Sequence, residues 1–531
     1  MIPPAAGLRC IVLLAGALGC QGADLFRVAG TVVNAQTGAS LAGARVTLSQ
    51  MGGSAAATRQ VTGADGRFAF DVAPGKYLLY GGTRDARIFY GQRYPDVVLG
   101  SAVIAGPGQQ TANLVIRWFP LGAITGRIVD ETGEPVERAL VQLVHSAVQA
   151  GVRRTATLGF DYTDDRGEYR FGGLPGGTYY LAVTGQPWYS QLWVFGQPDS
   201  AVSVAYAPSY YPNTLDAAHA EPISLTAGGE VRADFALRTV PGTKVTVAVE
   251  APQKSMGTLY LARPGIGGTD EFERTLGASA DKQVLQNVPP GHYELSWEGT
   301  GGIPQFEGRQ SIDVNGADIE AKLTLRPTSR VSGTVRMKNP AAKPRGSILV
   351  ALHTLEAGAV VGAAVRPDGS FSFPSIPSGK YRPILTGADG YFASEIRADG
   401  AAFRDGRLEL APDSTVTLNL VASDETGLIQ GFVVRGDQPV AEAMAVLAPQ
   451  KETTDSSAYL GCQTESDGSF EFPNVPAGDY FLFAVEDTGL EYTNPAVIRQ
   501  HLPGAKRIRV EPHGSSSERI PLETINPGSP G

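Results

Sequence analysis

The chain has 531 residues, 42% hydrophobic and 18% charged, with a formal net charge of −9. That apolar content excludes a disordered chain, and the acidic balance, with no basic stripe to meet phosphates, excludes a nucleic-acid binder. The length fits roughly three to five domains, and 65 glycines with 37 prolines fit many short strands joined by tight turns.

The N-terminus reads as an export signal covering residues 1–23. Arg9 precedes the apolar run Ile11-Val12-Leu13-Leu14-Ala15-Gly16-Ala17-Leu18, and small residues follow at Gly19-Cys20-Gln21-Gly22-Ala23. The run is too short to stay in a bilayer as a helix, and no later run is long enough, so no integral membrane span is expected. The mature chain is expected in the periplasm, on an outer-membrane surface or outside the cell. Cleavage before Cys20 would free that thiol for a lipid anchor, although Ala17-Leu18-Gly19-Cys20 places its large aliphatic residue one position too late for the usual signal. Only Cys462 lies clear of this region, so no internal disulfide is expected. It reads as a buried small hydrophobe.

From residue 24 onward one unit recurs. It opens with a strand of apolar-x-Gly-x-apolar pattern: Val28-Ala29-Gly30-Thr31-Val32, Ile124-Thr125-Gly126-Arg127-Ile128, Val331-Ser332-Gly333-Thr334-Val335 and Ile429-Gln430-Gly431-Phe432-Val433. A second alternating strand follows, such as Ala44-Arg45-Val46-Thr47-Leu48. Then comes Asp-Gly-x-Phe-x-Phe and Pro-x-Gly-x-Tyr: Asp65 to Phe70 with Tyr77, Asp368 to Phe373 with Tyr381, and Asp467 to Phe472 with Tyr480. Asp165-Arg166-Gly167-Glu168-Tyr169-Arg170-Phe171 with Tyr179 is a looser copy, and Pro289-Pro290-Gly291-His292-Tyr293 keeps the second half alone. Asp-Gly supplies a tight reversal, Phe-x-Phe puts two rings on one strand face, and the tyrosine anchors the core with its hydroxyl near an edge. Alternating strands such as Val416-Thr417-Leu418-Asn419-Leu420 close the units.

This repeat predicts an all-β chain: a tandem array of about five antiparallel β-sandwiches, transthyretin-like or immunoglobulin-like, after the signal. The expected units are 24–120, 121–240 with an aromatic insertion at 187–212, a degenerate unit 241–328, then 329–424 and 425–531. Short joints imply a rod of stacked modules.

The opening glycine strand together with the Asp-Gly-x-Phe-x-Phe and Pro-x-Gly-x-Tyr motifs resembles the carboxypeptidase regulatory-like domain. The resemblance is good in units one, two, four and five and weak in unit three. It implies a transthyretin-like sandwich, grouped with carbohydrate-binding folds, that occurs as an accessory to peptidases, in surface proteins and ahead of outer-membrane receptors. The B-type repeats of collagen adhesins are similar and carry Lys–Asn isopeptide bonds. Units one, two and five lack the matching lysine, so that feature is not carried over.

Catalytic patterns are sparse. His353-Thr354-Leu355-Glu356 matches the His-x-x-Glu of zinc carboxypeptidases, but it follows a strand, where positions i and i+3 face opposite ways. Asp164-Asp165-Arg166-Gly167-Glu168 carries carboxylates suited to a hard cation, yet it coincides with the repeat's own turn. No catalytic residue, cofactor or metal is therefore expected. The insertion is the candidate ligand platform, through Trp188, Tyr189, Trp193, Phe195, Tyr206, Tyr210 and Tyr211, because flat rings stack on sugar faces. The competing reading is that these rings cover a sheet. The expectation is an exported, non-catalytic scaffold or adhesion-type protein whose partner is a glycan or a cell-surface protein. A dedicated carbohydrate-binding array and a regulatory partner of a secreted peptidase are the alternatives.

Overall fold

The computed structural model describes residues 24–523 apart from 54–55, 84–86, 192, 195–196, 199–202, 253–254, 269, 280–281, 301–304, 343, 345, 356–359 and 454. The export signal and its Cys20 lie outside the described residues.

Five sandwiches share one topology. In each, the opening strand is the centre of one sheet. The Phe-x-Phe strand lies antiparallel on one side, and the closing strand lies parallel on the other. In the first unit Phe26–Asn34 sits between Arg67–Val72 and Leu114–Trp118. In the fifth, Thr426–Arg435 sits between Ser469–Pro476 and Ser515–Pro521. The third unit keeps this plan despite its eroded sequence: Thr243–Glu250 pairs with Lys282–Val288 and, in parallel, with Ile319–Thr324. The parallel closing strand is the exception to otherwise antiparallel pairing. The second sheet of every unit is antiparallel and includes the tyrosine strand.

The opening glycine has a steric cause. Gly30, Gly126, Gly333 and Gly431 lie opposite Phe68, Tyr169, Phe371 and Phe470, the first aromatic of each motif. On the other side the closing strand comes so near that a Cβ at these four positions would fall 2.0, 1.9, 1.7 and 1.8 Å from a carbonyl oxygen. The position therefore tolerates no side chain. In the third unit Val247 holds the equivalent place, opposite Gln283, and its closing-strand partner is Ala321. Loss of the facing aromatic and loss of the glycine go together.

The motif tyrosines are core anchors with one shared hydrogen bond. Tyr77, Tyr179, Tyr293, Tyr381 and Tyr480 donate to the carbonyl four residues earlier, at Ala73, Pro175, Pro289, Pro377 and Pro476, over 2.7–2.9 Å. Each ring fills its own sandwich while the hydroxyl ties down the turn. The cores are separate. They run from Val28 to Trp118, Ile124 to Leu237, Val245 to Leu325, Val331 to Ala422 and Ile429 to Leu522. Cys462 packs against the last of these, where burial pushes its thiol up to about 12.

The array is not a rod. Neighbouring units touch, as expected: Asp96 lies 3.8 Å from His145, Asn287 donates to the Ser190 carbonyl, Glu307 accepts from the Ser378 amide and hydroxyl, and Arg382 pairs with Asp455 at 2.9 Å. In addition, the fifth unit docks on the first. Its Asp-Gly turn caps the edge strand Ala102–Ala105: the Ser466 amide donates to the Ala102 carbonyl (3.0 Å) and the Ile104 amide donates to the Ser466 hydroxyl (2.9 Å). Ser101 donates to the Thr464 carbonyl, Gln463 to the Gly91 carbonyl, and Lys76 pairs with Glu465 at 2.6 Å. Gln463, Thr464 and Ser101 are all buried, so this contact excludes water as an interior does. A rod is favoured when only sequential modules complement each other; here the two ends complement each other as well.

Candidate functional site

The insertion begins where the strand Gly177–Thr184 leaves its sheet. A 3-10 turn spans Trp188–Gln191, Trp193–Val194 pairs with Gln197–Pro198, and Val204–Tyr206 pairs with Thr239–Pro241. Ser209–Tyr210 then returns to the parent sheet, placing Tyr210 opposite Ala182. The peptide bond Tyr211–Pro212 is cis.

These elements divide the seven candidate rings. Tyr206 is buried in the second core, and its pKa is raised by burial first and by the carboxylate of Asp130 next. Tyr210 is fully buried on the outer face of the same sheet with Val144, Ala182 and Ile266 of the third unit. Tyr211 packs edge-on against Phe235, ring centroids 6.4 Å apart. Rings buried in this way offer no face to a ligand, so Tyr206 and Tyr210 belong to the packing and not to a platform. Trp188 is 73% exposed, with Tyr189 edge-on beside it at 5.6 Å. Tyr189 is half-buried, and burial raises its pKa. Trp193 enters only through its backbone pairing, and Phe195 lies outside the described residues. Among described side chains Trp188 is the exposed candidate ring, and Tyr189 and Tyr211 are half-buried.

The two metal-like patterns resolve differently. His353 sits in the strand Leu349–Thr354, while Glu356 lies outside the described residues. The Asp164 carboxylate accepts from the amides of Arg166 (2.9 Å) and Glu168 (2.8 Å), and the Glu168 bond above all holds its pKa low. Its lone pairs serve the turn. Among the described residues no group of three His, Cys, Asp or Glu side chains converges as metal ligands would.

Sequence reasoning missed the place where three units meet. A cavity of about 260 Å³ lies between the first, second and fifth units, lined by Asp96, Leu99, Val148, Met444, Thr488 and Tyr492 among others. Tyr492 comes from the segment between the strands Gly478–Val485 and Lys506–Val510. That segment includes the short helix Pro495–Ile498, capped by Asn494. Beside Tyr492, Thr493 donates to the Gly151 carbonyl (2.8 Å) and Glu491 pairs with Arg153 at 2.7 Å. The detectable signal was the length of this segment, which lacks the repeat's strand pattern.

Residues 27–84 and 123–238, within the first two units, match the model of the carboxypeptidase regulatory-like domain. No curated protein matches the chain. Among solved structures, the chain is similar to the TIE protein of Bacillus anthracis, with 12% identity over 75% of this chain and 74% of that one and a TM-score of 0.17. It is also similar to GBS52, the minor pilin of Streptococcus agalactiae (13%, 41% and 97%, 0.24), and to BcpA, the major pilin subunit of Bacillus cereus (12%, 76% and 99%, 0.14). Scores this low carry no inference about function.

Proposed function

We propose that the chain is an exported, non-catalytic scaffold or adhesion-type protein, acting at the cell envelope or outside the cell. One observation carries this reading: among the described residues, the repeat's tyrosines and turn aspartates and three of the histidines serve the architecture. The motif tyrosines hold turns, the Asp164, Asp368 and Asp467 carboxylates accept from their own turn amides, and His219, His292 and His501 each bind a nearby carboxylate at 2.7–2.8 Å. Repeated modules with private cores suit holding and presenting more than turnover. Panels of peptide and glycoside substrates, with and without added zinc, test the claim. Absence of turnover is expected, and turnover lost in His353→Ala would contradict it.

A second reading, glycan binding, is favoured by the exposure of Trp188 beside Tyr189. A glycan array tests it: saturable binding abolished by Trp188→Ala would establish the site, and binding unchanged by that substitution would remove it.

A further inference from the structure

The cavity of about 260 Å³ between the first, second and fifth units carries polar groups that the fold does not use. Elsewhere in this junction the carboxylates are committed. Asp487 accepts from the Tyr94 hydroxyl (3.0 Å) and the Gly489 amide (2.8 Å), and Glu491 pairs with Arg153. Asp96 differs. It lines the cavity, and its carboxylate accepts no hydrogen bond among the described residues. His145 lies 3.8 Å from it, beyond hydrogen-bond distance. Burial lowers the His145 pKa below 6.5, so at neutral pH that ring leaves the Asp96 charge uncancelled. The hydroxyls of Thr488 and Tyr492 line the same cavity, and they too are without a hydrogen bond among the described residues. None of the three groups is a sealed interior atom, so each is open to an incoming partner.

The rest of the lining sets the class of that partner. No lysine, arginine or histidine lines the cavity, so its charge is that of Asp96. Leu99, Val148 and Met444 supply apolar wall, one from each of the three units, and a methionine adapts its shape to what it touches. We propose that this cavity binds a small organic cation, with an ammonium head on Asp96 and a short aliphatic body against Leu99, Val148 and Met444. An ammonium has three donors and no acceptor, which suits one carboxylate and two hydroxyl oxygens. The volume falls just below the roughly 300–1,000 Å³ of pockets for drug-sized ligands, so the cation is small. Because the walls come from three units, the ligand binds the docked array and stabilises it over the open one.

Saturation-transfer NMR of the full chain, with n-hexylammonium as the probe, tests the proposal. Saturable binding is expected with a Kd of about 1 mM, the scale for a ligand of this size. The neutral 1-hexanol and the anionic hexanoate should bind at least about tenfold more weakly, because they lack the charge-assisted bond. Asp96→Asn keeps the side chain's shape and should weaken n-hexylammonium by about tenfold for the same reason. Val98 lines the cavity but is 75% exposed. Val98→Lys should therefore keep the wild-type melting curve while its own ammonium competes for Asp96 and displaces the probe. At saturation the Thr493 amide, bonded to the Gly151 carbonyl beside the cavity, should exchange more slowly. No saturable binding up to about 20 mM, equal affinity for 1-hexanol, binding undiminished in either variant, or unchanged Thr493 exchange would each overturn the proposal.

Discussion

Tyr492 of the fifth unit covers Gly151 of the second so closely that a Cβ on Gly151 would fall 2.6 Å from its ring. Gly461 presses on the same ring, again at 2.6 Å for an added Cβ. The tyrosine is thus a knob held between two glycines from different parts of the chain, and it is buried. Tyr492→Ala should remove roughly 3 kcal/mol from the docking of the fifth unit, the scale of a lost buried aromatic. The five private cores should survive. Hydrogen exchange should show faster exchange at the Thr493 and Ser466 amides, with the sheet interiors unchanged; unchanged exchange at both amides would place the knob outside the docking.

The glycine–aromatic pairs make a contrast within one molecule. Gly431→Ala should destabilise the fifth unit by about 3 kcal/mol, because the methyl would fall 1.8 Å from the Glu518 carbonyl oxygen of the closing strand. In the third unit the sign of the volume change reverses. Val247→Gly there should cost about 2–4 kcal/mol through the cavity it leaves. Urea unfolding of both variants checks the pair. An innocuous Gly431→Ala would contradict the packing described.

Removing one motif hydroxyl should leave a turn carbonyl without its partner. Tyr480→Phe, which breaks the 2.9 Å bond to Pro476, should cost about 1 kcal/mol. Tyr293→Phe should cost a similar amount in the degenerate unit, since its bond to Pro289 is 2.8 Å. Thermal melts of the two variants measure this directly.

His145 lies at the joint of the first two units, stacked on Tyr179 and 3.8 Å from Asp96. Burial lowers its pKa below 6.5, and Asp96 opposes that shift in part. With a depressed value in the folded state, the unfolded chain takes up the proton first. The contribution of His145 to stability is therefore full above pH 6.5 and declines as pH falls through the lower folded value. Wild-type stability should drop more steeply from pH 7 to 5 than that of His145→Gln, read by denaturant titration at each pH. Parallel slopes would show that the histidine is not titrating against burial.

The sandwich was legible because its determinants are local. An alternating strand, an Asp-Gly reversal and a tyrosine at fixed spacing each report their own backbone, and the register pairs Gly431 with Phe470 as those spacings require. The third unit was harder to read because Val247 and Ala321 replace the signature by exchanging volume across the sheet. The aromatic insertion was legible only in part, for a different reason. A count of rings does not say which way they face, and Tyr206 and Tyr210 turn inward whereas Trp188 turns out. The docking of the chain's ends was not legible. Gln463, Glu465 and Ser466 look like ordinary turn residues, and only the approach of the Ala102–Ala105 edge makes them an interface.

Small-angle X-ray scattering of the chain at low concentration tests the closed array most directly. Contact between the first and fifth units predicts a compact particle, with a radius of gyration within roughly a third above the ~24 Å of a compact chain of this length. A scattering profile characteristic of an extended rod of five modules would contradict it.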